Sequence, residues 1–248
     1  GPDASRNEHW QPLCNSPQYH LPLATILQRI ATGNIPDEPN DNTLEAMLTT
    51  TLGAKLKNNG KIRPLGIPTA LIRLTAKADH YNPPLKTYLH PTQSGIGTPD
   101  GANIIHKTLN QIYHNNPDHT LLRFDMSDTF TNLPRETIVK HTPHACPTLT
   151  QLTNTWYTQP SATIWKDSTD TYHHFKSQRG TTQGCTMSAA IFAIALQPTL
   201  HKIRDIINQR ISHYNQTHST NHTCRLHAYL DDMYLAIPTD YLNHALTT

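Results

Sequence analysis

The chain has 248 residues, 36% of them hydrophobic and only 15% charged, with a formal net charge of +2. That length can bury a sizeable core, and low charge with clear apolar periodicity excludes a disordered polyelectrolyte. The pI near 8.4 falls below the value above about 9 that marks an overtly basic nucleic-acid binder, so any polyanionic partner must be held by local charge.

Thr, Asn, Gln, His and Pro replace the missing charge; all are served by codons rich in A and C, which points to a skewed nucleotide composition. The longest apolar run, Ala189 to Leu196, is eight residues, too short for a bilayer crossing of about 20, so no membrane partner is expected. Gly1-Pro2 reads as the remnant of a cleaved purification tag, residues 1–8 as tag or flexible chain, and no signal peptide is recognisable. Cys14, Cys146, Cys185 and Cys224 stand far apart with no Cys-x-x-Cys pair, as expected for reduced thiols in an intracellular protein. The 17 histidines show no regular zinc-ligand spacing.

Leu23, Leu27 and Ile30 recur at helical spacing, and Asn34-Ile35-Pro36 stops that helix. A polar loop, Pro36 to Asn42, leads to a second apolar stretch. Two short alternating runs between Leu52 and Ile67 flank Asn58-Asn59-Gly60 and predict a β-hairpin. From Lys55 to Asp79 there are six cations (Lys55, Lys57, Lys61, Arg63, Arg73, Lys77) and one acid, a positive patch that can hold phosphates. The alternative is a solvated hairpin whose lysines discourage edge pairing.

Thr98-Pro99 predicts the start of a helix with Ile105, Leu109 and Ile112 on one face, ending near Asn115-Asn116-Pro117. In the strand from Thr120 to Met126, alternation puts Leu122, Phe124 and Met126 on one face and Asp125 on the other. Pro134 starts another helix, and residues 141–178 read as irregular. Met187 to Gln197 predicts an apolar helix interrupted at Pro198, followed by a second with Ile203, Ile206, Ile207 and Ile211 on one stripe. Arg225 to Ile237 reads as two short apolar strands meeting at Asp231-Asp232.

Adjacent carboxylates at the tip of an apolar hairpin are costly unless neutralised, and a divalent cation would do so. An exposed Asp-Asp turn is the plainer alternative. Asp125, ending a separate apolar strand, adds the third carboxylate that two hard cations need for oxygen ligation.

With these acids in place the sequence resembles a reverse transcriptase over most of residues 50–237. Gly60-Lys-Ile followed by Arg63-Pro-Leu-Gly-Ile-Pro68 looks like the fingers motif, and Phe124-Asp-Met-Ser-Asp-Thr-Phe130 like the first palm motif. Arg179-Gly-Thr-Thr-Gln-Gly-Cys-Thr-Met-Ser188 looks like the second and Tyr229-Leu-Asp-Asp232 like the third. Arg-Gly-x-x-Gln-Gly and Gly95-Ile-Gly-Thr-Pro-Asp-Gly101 are most like the forms in non-LTR retrotransposon enzymes. Lys61 to Thr69 is also similar to group II intron maturases, which usually have Ala where this chain has Leu230.

The resemblance implies an α+β fold, the fingers and palm of a right-hand polymerase with a small antiparallel palm sheet backed by helices and the thumb absent. Residues 1–119 would be fingers and 120–248 palm, with an irregular insertion over about 141–178. It implies RNA-directed DNA synthesis with an RNA template, a nucleic-acid primer, deoxynucleoside triphosphates and two Mg2+ ions, Mn2+ being a substitute. Asp125, Asp231 and Asp232 would be catalytic and, with the carbonyl of Met126, metal-binding. Lys55, Lys57, Arg63, Asp128, Phe130, Gln183 and Gly184 would bind the nucleotide, Phe130 by excluding a 2′-hydroxyl and Gly184 by letting nucleotide and template approach bare backbone. RNA-directed RNA synthesis and a non-catalytic RNA-binding palm are the alternatives. The chain stops 16 residues after Asp232, where similar enzymes continue into a primer grip and thumb, so further domains of a longer, intracellular protein are expected, nuclear if the source is a eukaryotic retroelement.

Overall fold

The computed structural model describes residues 1–35, 42–56, 58, 60–78, 83–126 and 128–247. In chain order the elements are α1 (Asn7–Asn15), α2 (Pro17–Ala31), α3 (Thr43–Leu48), β1 (Thr50–Leu56), β2 (Ile62–Pro68), α4 (Ala70–Ala78), α5 (Pro83–Leu89), α6 (Gly101–Asn115), β3 (His119–Asp125) and α7 (Thr129–Asn132). Then follow α8 (Arg135–Ala145), a 3-10 turn (Pro147–Leu149), α9 (Thr150–Tyr157), β4 (Ser161–Lys166), β5 (Tyr172–Ser177), α10 (Ser188–His218), β6 (Arg225–Tyr229), β7 (Asp232–Pro238) and α11 (Thr239–Thr247). Among the described residues no helix is long and apolar enough to cross a membrane.

The chain forms two compact units, one from Gly1–Asn82 with Asp128–Phe192 and the other from Pro83–Ser127 with Ala193–Thr248. A linear division at 119/120 therefore does not coincide with the compact units, because each takes pieces from both halves. Long-range pairing is the reason: β3 pairs with β7, and α6 packs on β3 and β6.

The first unit holds a mixed four-stranded sheet, order β2-β1-β4-β5, in which only β1 and β4 are parallel. The expected hairpin is present, with Lys55 opposite Arg63 and Leu56 opposite Ile62; Gly60 takes φ +76, while Lys57 and Asn59 lie outside the described residues, as do residues 36–41 of the polar loop. Helix α2 starts earlier than the periodicity indicates, at Pro17, and buries Ile30 on the Leu23–Leu27–Ile30 stripe. The amino-terminal end is tied down: the Asp3 carboxylate accepts a hydrogen bond of 2.9 Å from the Ala70 amide at the start of α4.

Residues 141–178, which show no sequence period, contain the end of α8, the 3-10 turn, α9 and the β4–β5 hairpin. Arg135 organises this region. Its buried guanidinium donates to Gly180 O, Gln159 O, Ser161 Oγ and Ser177 Oγ and lies 5.6 Å from the Tyr157 ring centre. Burial lowers its pKa from the usual arginine value, and these partners replace the missing counter-ion.

The second unit holds the all-antiparallel sheet β3-β7-β6, with α6 packed on β3 and β6 and α11 on β7 and β3. Its core includes Ile105 and Ile112 of α6, Leu226, Ala228, Met233 and Leu235 of the sheet, and Leu200 and Ile211 of α10. Helix α10 runs unbroken through Pro198. A proline there deprives Ile194 O of its helical donor, but the flanking turns from Ala190 to Leu200 are almost wholly buried apart from Pro198 and Thr199, and packing overrides the local break. Of its isoleucine stripe, Ile211 is buried and Ile206 is 42% exposed, so the inward row is Ile203, Ile207 and Ile211.

Candidate active site

The β3–β7–β6 sheet places the acids. Ladder register pairs Asp125 with Asp232 and Asp232 in turn with Tyr229, so all three residues project from one face at one end of the sheet. Directly opposed residues in an antiparallel pair have Cβ atoms about 4.5–5.5 Å apart. The opposite face carries Ala228 and Met233, both buried. The charged face is therefore the outer one.

The expected Asp-Asp tip is displaced by one residue. Tyr229 pairs with Asp232, so the two turn residues are Leu230 and Asp231, and Asp232 already belongs to β7. Leu230 takes φ +57, a left-handed conformation that costs a branched side chain about 1–2 kcal/mol. It is held by Gln93, which is 3% exposed. Gln93 Oε1 accepts from the amides of Leu230 (2.8 Å) and Gly95 (3.0 Å), and its Nε2 donates to Leu230 O at 3.3 Å. The backbone alongside is joined to β6: Ser94 N donates to Ala228 O and Ala228 N to Thr92 O.

Arg123, two residues before Asp125 on the same face, donates to Asp232 Oδ1 at 2.8 Å, and this bond raises the guanidinium pKa above its ordinary value. The pair is largely exposed, 65% and 37%, and weak in water. Among the described residues no group of three or more His, Cys, Asp or Glu is gathered to hold a metal ion. The donors nevertheless fit magnesium-like ions, which take one or two protein carboxylates and complete their shell with water and substrate phosphate. Asp125 and Asp232 supply such oxygens side by side, and Asp231 is next in the chain.

Met126 follows β3 directly in the second unit, and the remaining expected site residues belong to the first. Lys55 and Arg63 are both exposed and directly opposite on the β1–β2 hairpin, an unfavourable like-charge pairing that an anion would relieve. Asp128 takes φ +51 and its carbonyl accepts from the amides of Thr131 and Asn132, starting α7; Ser127 lies outside the described residues. Phe130 is half-buried and stacks on fully buried Phe192, with ring centres 4.2 Å apart and planes 20° apart. Gln183 Oε1 is buried with no hydrogen-bond partner among the described residues.

At Gly184 the observed close approach differs from the expected one. Its amide donates to Gly66 O at 3.0 Å, and an added Cβ would lie 2.2 Å from that oxygen, so in this structure its bareness serves packing against β2. Sequence reasoning missed Gln93, Arg123 and Phe192. Only Arg123 carried a usable signal, two positions from Asp125 on an alternating strand.

The reverse transcriptase (RNA-dependent DNA polymerase) family model matches residues 55–247, most of the chain, and the chain belongs to that family. Reverse transcriptases generally use divalent metal ions. No curated protein matches the sequence. Among solved structures it is similar to apo telomerase from Candida tropicalis (12% identity, 97% of this chain and 46% of that one, TM-score 0.56). It is also similar to Candida albicans telomerase in complex with a fragment of telomeric RNA (12%, 86% and 41%, 0.53) and to C. tropicalis telomerase truncated from its C-terminal domain (14%, 81% and 46%, 0.52). These likenesses show the fold, mixed α+β fingers and palm. The chain spans less than half the length of each of these structures.

Proposed function

We propose that the protein carrying this chain is an RNA-directed DNA polymerase that adds deoxynucleotides to a primer 3′-hydroxyl on an RNA template. The observation that carries this reading is the register setting Asp125 opposite Asp232, with Asp231 in the adjoining turn. Those three acids and the Met126 carbonyl would hold two divalent cations, Mg2+ by preference and Mn2+ in its place. When bound, such ions lower the pKa of the attacking hydroxyl and stabilise the departing pyrophosphate.

The chain's own residues have separate tasks. Lys55 and Arg63, with Lys57, bind the triphosphate, the guanidinium through two parallel donors and the lysines as point charges. Asp128 lies along the nucleotide, Phe130 closes the space a 2′-hydroxyl would need, and Gln183, whose Oε1 has no partner among the described residues, accepts a hydrogen bond from nucleotide or template. Arg123 is ion-paired with Asp232. An RNA partner is in keeping with the C. albicans neighbour, solved with telomeric RNA, and the short span with further domains. The motif wording favours the non-LTR retrotransposon subgroup.

The test is primer extension on an RNA template by the full-length protein, with deoxynucleotides or ribonucleotides. Wild type should extend with deoxynucleotides only, and Asp125→Asn or Asp231→Asn should abolish incorporation. Extension with ribonucleotides alone would make it an RNA-directed RNA polymerase. RNA binding without incorporation would make it a scaffold.

A further inference from the structure

The turn that carries Asp231 is not held by its own sequence. A two-residue hairpin turn with a left-handed first residue favours glycine there, yet the position is Leu230. What supplies the missing preference lies 137 residues away in sequence, in the Gln93 side chain.

The geometry is specific. The Leu230 amide belongs to the peptide group before Leu230 and its carbonyl to the peptide group after it. Gln93 accepts from the first and donates to the second, so one side-chain amide fixes both planes that define φ and ψ of Leu230. The second acceptor site of Gln93 Oε1 is filled by the Gly95 amide, which orients the side chain. There is no room for alternatives: a Cβ on Gly95 would lie 2.9 Å from Leu230 Cγ and 3.0 Å from Gln93 Oε1. A buried glutamine costs desolvation that an apolar residue would avoid, so packing alone does not account for it.

We propose that Gln93 is a positioning residue for the catalytic carboxylates: by clamping both peptide planes of Leu230 it sets the direction in which the chain enters Asp231 and Asp232. The inference rests on reading those aspartates as the catalytic pair. Gln93 itself touches no reacting atom.

The test is Gln93→Leu, of similar size, made in the full-length protein alone and combined with Leu230→Gly. Gln93→Leu should lower turnover at least tenfold with the KM for nucleotide unchanged. It should weaken Mn2+ binding, read from water-proton relaxation, and speed hydrogen exchange at the Leu230 amide while α6 amides stay protected. Because glycine adopts positive φ without cost, the turnover lost on changing Gln93 should be at least threefold smaller in the Leu230→Gly background.

Unchanged turnover with a protected Leu230 amide overturns the inference, and so does an equal loss in both backgrounds. If Gln93→Leu fails to fold, Gly95→Ala, which drives a methyl into the same clamp, carries the same expectations. An inactive wild type would refute the reading of the aspartates instead, and exchange at Leu230 would still decide whether Gln93 holds the turn.

Discussion

Phe130 combines an observed packing contact with the selectivity proposed for it. Its ring is half-buried, and the fully buried Phe192 ring beneath it leaves few orientations open. Stacked aromatic pairs of this kind contribute about 0.5–1.5 kcal/mol beyond area burial. If Phe130 excludes the 2′-hydroxyl, its power to do so depends on that support. Phe130→Ala should relax sugar discrimination, and Phe192→Leu, which keeps an apolar filling but removes the stack, should relax it to a smaller degree. Single-nucleotide incorporation with ribo- and deoxynucleotides checks both. Full discrimination by Phe130→Ala would remove the ring from that role.

Between elements, the Arg135 hub is the clearest case of long-range hydrogen bonding replacing local propensity. Ser161 and Ser177 are register partners at the open end of the β4–β5 hairpin, and Arg135 binds both hydroxyls while also holding two loop carbonyls. A single side chain thereby joins the start of α8, the hairpin and the loop leading to Gln183. Arg135→Lys cannot reproduce the planar fork, and leaves buried acceptors without donors. Bonds to charged groups contribute about 1.5–3 kcal/mol each and are not additive, so the expected destabilisation is about 2–4 kcal/mol. Chemical denaturation of wild type and variant measures it; a change within 0.5 kcal/mol, about the range of neutral surface substitutions, would contradict the assignment.

At the scale of the whole molecule, 17 histidines, several of them partly buried, make stability depend on pH. Burial lowers the pKa of His227 in β6, and of His201 and His141, below the ordinary imidazole value. For a group with a depressed folded pKa the unfolded chain takes the proton first. Stability is therefore fully present above about pH 6.5, the unfolded histidine pKa, and declines as pH falls below it. Asp118, whose carboxyl is held low chiefly by its hydrogen bond from His119, loses its contribution only at much lower pH. The denaturation midpoint should fall between pH 7.5 and 5.5, and His227→Gln should flatten that slope. An unaltered slope would show that His227 does not titrate on unfolding.

What the sequence by itself determined was whatever repeats over a few residues. Helical and alternating periods are local, so the β1–β2 hairpin, the face of α6 that buries Ile105 and Ile112, and the end-of-strand position of Asp125 were legible. The ordered motifs around Asp125 and Asp231-Asp232 were legible too, and with them the family. Tertiary structure alone decided the rest. It carried α10 through Pro198 by burying the flanking turns, and built regular structure over 141–178, where Arg135 supplies order that no period announces. It also seated Gly184 on Gly66, and assigned Gln93 to a turn far along the chain. Each of these depends on partners remote in sequence, and a hydrogen bond or a close backbone approach between such partners leaves no periodic trace in either segment.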